Sequence, residues 1–193
     1  MEKKKVRVGY QGMENSNNHH AALELTGRHE DWDADLIPMV SSANVTAALL
    51  AREIDYGVMA VSTDVAGAVE ETARAISGAG LQMADEISID IHHCLFKKKE
   101  EIPLEDIRVI ASHVEAIREC TETIEREFSG REFLAVPDTA MAAWNLGRGE
   151  LPEDTAVICS LAAGRQNGLC LVKENVEDLE HNGTTFGIFY LPG

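Results

Sequence analysis

No apolar run in the 193-residue chain approaches membrane-spanning length. The charged start Met1-Glu2-Lys3-Lys4-Lys5 leads straight into Val6-Arg7-Val8, without the apolar core of a secretory signal. A cytoplasmic protein with no membrane partner is therefore expected. Cysteine is scarce: Cys94, Cys120, Cys159 and Cys170 sit beside apolar residues, and none is paired at metal or redox spacing. They read as small buried hydrophobes in a reducing compartment. Cations are also few, with 17 Lys and Arg against 33 Asp and Glu and a net charge of −16. That excludes a nucleic-acid partner, because phosphate neutralisation needs clustered Lys and Arg. The basic run Lys97-Lys98-Lys99 is followed at once by Glu100-Glu101 and reads as a solvated loop. The same acidity opposes any anionic ligand, so local donors must overcome the overall field. There is no short-period repeat, low-complexity tract or Pro-rich linker. The length suits one domain, or two small lobes sharing a core.

What is present is a repeated order of strand, polar cap and helix. The patterning predicts strands over 6–10, 34–40, 56–61, 87–96, 107–111, 133–136, 155–159 and 169–172. It predicts helices over 19–25, 43–53, 67–77, 112–127, 137–146 and 160–167. Ser41-Ser42, Ser112 (a capping box with Glu115), Asp138-Thr139 and Ser160 stand at strand-to-helix junctions. The order implies an α/β fold with largely parallel strands. Each junction aims unpaired N–H groups outward from a sheet edge, a geometry suited to small anions. A cap can also simply finish its own helix, and both readings stand.

The stretch Asn182-Gly183-Thr184-Thr185-Phe186-Gly187-Ile188-Phe189 joins a turn signal to a short apolar strand, with two hydroxyls at the mouth. Those threonines either satisfy their own backbone or present a donor and an acceptor to a cleft. Asp64 is either the N-cap of the following helix or a cleft carboxylate able to hold a ligand ammonium. His92 and His93 are adjacent on an expected strand and would point to opposite faces, so no metal site is expected. Trp32 and Trp144 read as packing residues.

The motifs then converge on a family. Val8-Gly9-Tyr10-Gln11-Gly12-Met13-Glu14, Asp55-Tyr56-Gly57-Val58 with Gly67, and Ile91-His92-His93-Cys94-Leu95 come in order. Ser112-His113 with Ala116 and Cys120, and Thr139-Ala140 with Ala142-Ala143, follow. Gly168-Leu169, Asn175-Val176-Glu177-Asp178 and Asn182-Gly183-Thr184 close the series. Together they resemble the catalytic domain of prephenate dehydratase nearly end to end. The resemblance implies an α/β, two-lobed fold like the type II periplasmic binding proteins, with mixed, mostly parallel sheets and an interlobe cleft. The lobes are expected at about 1–87 with 170–193, and about 88–169. It further implies a cofactor-free, metal-free lyase that decarboxylates and dehydrates prephenate to phenylpyruvate for phenylalanine synthesis, and a homodimer. Thr184 falls on the catalytic threonine. The implied substrate-binding set is Asn15, Ser16, Ser62, Thr63, Asp64, Ser112, His113, Thr139, Ala140, Thr185 and Phe186. The family's regulatory ACT domain has no counterpart in this sequence.

Three departures mark a divergent member. Thr185 stands where the family has a carboxylate-binding Arg, Ser62-Thr63-Asp64 where it has Glu-Asn-Ser, and Asn15-Ser16-Asn17-Asn18 where it has Gly-Thr-Phe-Ser. The lost Arg and the gained Asp64 make the expected site more negative, and Arg165 is the compensating cation the sequence offers. A unit charge a few ångströms away is worth ~4 kcal/mol at an effective dielectric near ~20. The expected ligand is thus a small anion or a zwitterion. Two rival outcomes follow: an altered homologue that binds an amino acid or related carboxylate, and a prephenate decarboxylase that leaves the ring non-aromatic.

Overall fold

The computed structural model describes residues 3–193. Its elements begin with β1 (Lys4–Tyr10), α1 (Asn17–Gly27), β2 (Trp32–Pro38), α2 (Ser42–Leu50), β3 (Tyr56–Thr63), β4 (Gly67–Ala68), α3 (Glu70–Ile76) and β5 (Gln82–Asp90). They continue with β6 (Cys94–Lys97), a 3-10 turn (Leu104–Asp106), β7 (Val109–Ser112), α4 (Val114–Glu127), β8 (Glu132–Ala135) and α5 (Thr139–Arg148). They end with β9 (Thr155–Cys159), α6 (Leu161–Gln166), β10 (Cys170–Lys173) and β11 (Gly183–Tyr190). The chain forms two units. One holds the residues through Met13, Asn17–Ile91 and Gly183–Gly193; the other holds Glu14–Ser16 and His92–Asn182.

In the first unit the sheet order is β2-β1-β3-β11-β5, with β4 against β3. β1 is parallel to β2 and β3, while β11 is antiparallel to β3 and β5. Successive side chains of a strand face opposite ways, and β3 uses this to serve two cores. Val58 packs with Val6, Val8, Leu25, Phe186 and Ile188 on the α1 side. Met59, its neighbour, packs with Val45, Leu49, Ile54 and Phe189 on the α2 side. Gly57 lets α2 approach closely, since a Cβ there would lie 2.4 Å from Val45 Cγ1.

The second unit has the order β10-β6-β9-β7-β8. β9, β7 and β8 are parallel, and β6 and β10 are antiparallel additions. β9 is buried along its whole length. Leu95, Ile110, Cys120, Ile124, Ile158 and Val176 build the core beneath α4.

Several expectations change. The strand expected over 87–96 is two strands, β5 and β6, separated by Ile91-His92-His93. The chain leaves one unit after Ile91, and the His93 backbone bonds elsewhere: its N–H donates to Glu177 Oε2 at 2.9 Å and its carbonyl accepts from Val176 N at 2.9 Å. The helix expected from residue 67 begins only at Glu70, because Gly67–Ala68 pairs with Ser62 and Thr63 instead. Residues 170–182, expected with the first lobe, pack in the second unit, where β10 adds to β6. Trp144 is 39% exposed rather than a packing residue, with the Arg148 guanidinium 3.8 Å over its ring.

Candidate functional site

β1, β2 and β3 end at one edge of the first sheet, and β11 begins there, because Thr184 pairs with Thr63. Ligands of open α/β sheets collect at this type of edge. The β3–β11 junction gathers Ser62, Thr63, Asp64, Thr184 and Thr185. Asp64 N donates to Gly183 O at 2.8 Å, and Asp64 Oδ2 accepts from Gly183 N at 3.1 Å. Asp64 caps no helix; its exposed carboxylate braces the strand start that leads to Thr184.

The three threonine hydroxyls at this junction differ. Thr63 Oγ1 accepts from Ala66 N at 3.0 Å, and Thr185 Oγ1 pairs with Ser88 Oγ at 2.8 Å. The Thr184 hydroxyl has no hydrogen-bond partner among the described residues, although the residue is largely buried between β3 and β5. Phe186, expected to touch substrate, is instead a core residue, because the pleat turns it onto Val58 and Ile188.

At the same edge, the start of α2 already holds a carboxylate. Ser41 caps the helix, its Oγ accepting from Asn44 N at 3.2 Å. Glu71 of α3 accepts from Ser42 N at 2.8 Å and from Gln11 Nε2 at 3.1 Å. Ser42 and Thr72, both fully buried, share a 2.9 Å hydroxyl contact. The anion site expected at this helix start is therefore filled from within. Glu71 was not singled out by the sequence, and Gln11 only as part of a family motif, since their meeting depends on a contact sixty residues apart.

In the second unit, α4, α5 and α6 each follow one of the parallel strands, so their starts share one sheet edge. Their caps are His113, Asp138 and Ser160. His113 Nδ1 accepts from Glu115 N at 3.3 Å, Asp138 Oδ1 from Met141 N at 3.0 Å, and Ser160 Oγ from Ala163 N at 3.1 Å. Ser112 is not the cap that the Ser-x-x-Glu spacing suggests. It ends β7 fully buried, and its Oγ donates to Ile158 O at 2.7 Å, which leaves no hydroxyl for substrate. Thr139 and Ala140 open α5. Asn15 lies against α6: Ser160 Oγ donates to Asn15 O at 2.9 Å, and Asn15 Nδ2 donates to Gln166 Oε1. Ser16 is buried beside it. Arg165 sits exposed in the last turn of α6, at the far end of that helix from its cap.

A buried polar network also lies in this unit. Glu119 Oε2 meets His93 Nε2 at 2.8 Å and accepts from Asn182 Nδ2 at 2.9 Å. Burial pushes the Glu119 carboxyl up, but the hydrogen bonds from His93 and Asn182 outweigh it and hold the group below its ordinary range. Neighbouring Glu177 accepts from His93 N and faces His92 Nδ1 at 2.8 Å. A carboxylate within the apolar stripe Ala116, Cys120, Thr123 and Ile124 of α4 was the signal that could have revealed Glu119.

His93 is buried and His92 exposed, the opposed orientation expected of neighbours. Among the described residues, no three His, Cys, Asp or Glu side chains gather as a metal site. Cys94, Cys120 and Cys159 are buried, which raises their thiol pKa values, and Cys170 is half-buried. Among the described residues no helix is long and apolar enough to cross a membrane.

These features can be set beside known proteins. The prephenate dehydratase family model matches residues 8–190. Arogenate dehydratase/prephenate dehydratase 2 of Arabidopsis thaliana is 26% identical over 182 residues, covering 94% of this chain and 45% of the plant protein. The chain spans less than half the length of the curated relatives it matches. Among solved structures, prephenate dehydratase from Arthrobacter aurescens, in complex with L-Phe, superposes with a TM-score of 0.80 at 24% identity, covering 97% of this chain and 60% of that one. A methionine-binding lipoprotein of Bacillus subtilis shares the fold at a TM-score of 0.56 and 14% identity, covering 98% and 84%. The fold is thus α/β, of the type shared by prephenate dehydratases and periplasmic binding proteins, and the chain belongs to the prephenate dehydratase family.

Proposed function

We propose that the chain is a cofactor-free lyase that converts prephenate, by decarboxylating dehydration, to phenylpyruvate. The ring carboxylate leaves as carbon dioxide, its bonding pair enters the ring, and the hydroxyl departs as water after taking a proton. The products are one aromatic keto acid, one carbon dioxide and one water. The chemistry needs an acid beside the departing hydroxyl and donors for the carboxylates. Thr184 is assigned the first task, as the hydroxyl that donates to the leaving oxygen. The observation that supports it is the contrast among the three threonines, of which Thr184 alone has a hydroxyl with no partner among the described residues. The helix starts capped by His113, Asp138 and Ser160, together with Thr139 and Ala140, offer backbone N–H groups of the kind that hold carboxylates. A homodimer belongs to the same proposal and is read by sedimentation.

A second reading keeps the reaction and changes the substrate. Arogenate carries an ammonium where prephenate carries a keto group, and the plant relative's name includes that activity. Asp64 adds an exposed carboxylate beside Thr184, and Thr185 removes the family's cation. Both changes favour a zwitterion over a dianion.

Incubation of the purified chain with prephenate and with arogenate, followed by product analysis, tests both readings. Phenylpyruvate supports the first and phenylalanine the second. A decarboxylated, non-aromatic product, or no turnover by folded protein that binds amino acids, overturns both.

A further inference from the structure

The chain passes between its two units around Glu14–Ser16, at Ile91–His92 and at Asn182–Gly183. Within the second unit, one carboxylate oxygen holds a side chain from each of the last two: Glu119 Oε2 bonds both His93 Nε2 and Asn182 Nδ2. All three residues are buried. Glu119 stands in the second turn of the long helix α4, and its own backbone carbonyl accepts from Asp178 N at 2.7 Å. His93 Nδ1 meets no hydrogen-bond partner among the described residues, so the His93 contact to Glu119 is made through Nε2. Asn182 is separated from Thr184 by Gly183 alone. Resting on the assignment of Thr184 above, we propose that Glu119 is a positioning residue: oriented by His93, it fixes Asn182 and thereby sets the Thr184 hydroxyl for catalysis.

The arrangement has a built-in control. Asp178 lies in the same segment and also binds α4, accepting from Glu122 N at 3.0 Å and Thr123 N at 2.7 Å. It stabilises the packing of this segment without touching Asn182. A residue that matters only for stability is therefore matched by Asp178→Ala, whereas a positioning residue is not.

The experiment compares Glu119→Ala, Glu119→Gln, Asn182→Ala, Glu119→Ala/Asn182→Ala and Asp178→Ala in steady-state kinetics with whichever substrate the wild type turns over. Misplacement of a reacting group by about an ångström lowers turnover by ~100-fold. Glu119→Ala and Asn182→Ala are expected to lower kcat by ~10- to 100-fold with KM nearly unchanged. The double variant is expected to be no worse than either single one, and Glu119→Gln to recover most of kcat because its amide oxygen still accepts. Asp178→Ala is expected to lower Tm and spare kcat. If Glu119→Ala does not fold, Glu119→Gln and Asn182→Ala carry the comparison. Amide hydrogen exchange at Thr184 is measured in parallel, and should accelerate in Asn182→Ala but not in Asp178→Ala. An Asn182→Ala variant with wild-type kcat and exchange overturns the proposal, as does an Asp178→Ala variant with the same kcat loss. A wild type that turns over neither substrate removes the assigned reaction, and the exchange rates alone then decide whether Asn182 sets Thr184.

Discussion

Asp64 and Gly183 are joined by two hydrogen bonds, one from the Asp64 backbone N–H to the Gly183 carbonyl at 2.8 Å and one from the Gly183 N–H to the Asp64 carboxylate at 3.1 Å. The contact is tight: a Cβ on Gly183 would lie 2.3 Å from Asp64 Oδ2. The residue that distinguishes this chain's charge pattern thus also braces the strand that begins with Gly183 and Thr184.

Gly183→Ala displaces the Asp64 side chain and loses its hydrogen bond, an expected cost of ~1 kcal/mol. Because Asp64 is exposed and free to swing away, the fold survives. In an Asp64→Ala background the same substitution should cost less, with a coupling of ~0.5 kcal/mol or more. Urea denaturation of the four proteins gives the cycle, and equal costs in both backgrounds would refute the coupling.

Thr184→Ala is expected to lower kcat by ~10²–10⁴ while leaving denaturation within ~1 kcal/mol of wild type. Thr184→Ser keeps the hydroxyl and should retain much of the rate. Circular dichroism melts and product formation measured on the same preparations check both halves.

Asp64→Asn separates the two substrate readings. A charged hydrogen bond to a ligand ammonium is worth ~1.5–3 kcal/mol, so the variant should lose about tenfold or more in kcat/KM for arogenate and lose little for prephenate. An equal loss for both substrates points to the bracing role of Asp64 alone.

Glu119 links stability to acid. Its carboxyl is held below the ordinary value of 4.5 in the folded chain. A group whose folded pKa is depressed binds its proton more readily when unfolded, so its contribution is complete above the unfolded value and falls away as pH drops through the folded one. Thermal melts between pH 7 and pH 3 should therefore show a destabilisation below about pH 4.5 that is smaller in Glu119→Gln. Parallel curves for the two proteins would remove this linkage.

Ser112→Ala tests a corrected assignment. The Oγ donates to the buried Ile158 carbonyl, and its loss should cost ~1 kcal/mol in stability. KM should not change, because no hydroxyl reaches a ligand from this position. A raised KM at unchanged Tm would return Ser112 to the binding set.

The local chemistry of the chain was legible in its sequence wherever it depended on neighbours. A continuous short apolar run marked β9 at its full extent, Thr155–Cys159, and the hydroxyl and carboxylate caps Ser41, Asp138 and Ser160 each bond an N–H three residues on. The α/β order and the strand-end placement of Thr184 follow from such signals, because a cap and a pleat are set within one turn or one strand. Where the spacing misled, at Ser112, two readings of one motif differed by a single residue, and the carbonyl of Ile158, forty-six positions away, decided between them.

By itself, then, the sequence determined the fold class, the family motifs and the acidic character of the junction around Asp64. Tertiary structure alone decided which polar groups remained available. Glu71 filled the α2 start, Ser88 took the Thr185 hydroxyl, and Glu119 gathered His93 and Asn182. The physical reason is that polar groups pair with whatever partner the fold brings within reach, and those partners lie from 26 to 97 residues apart in the chain.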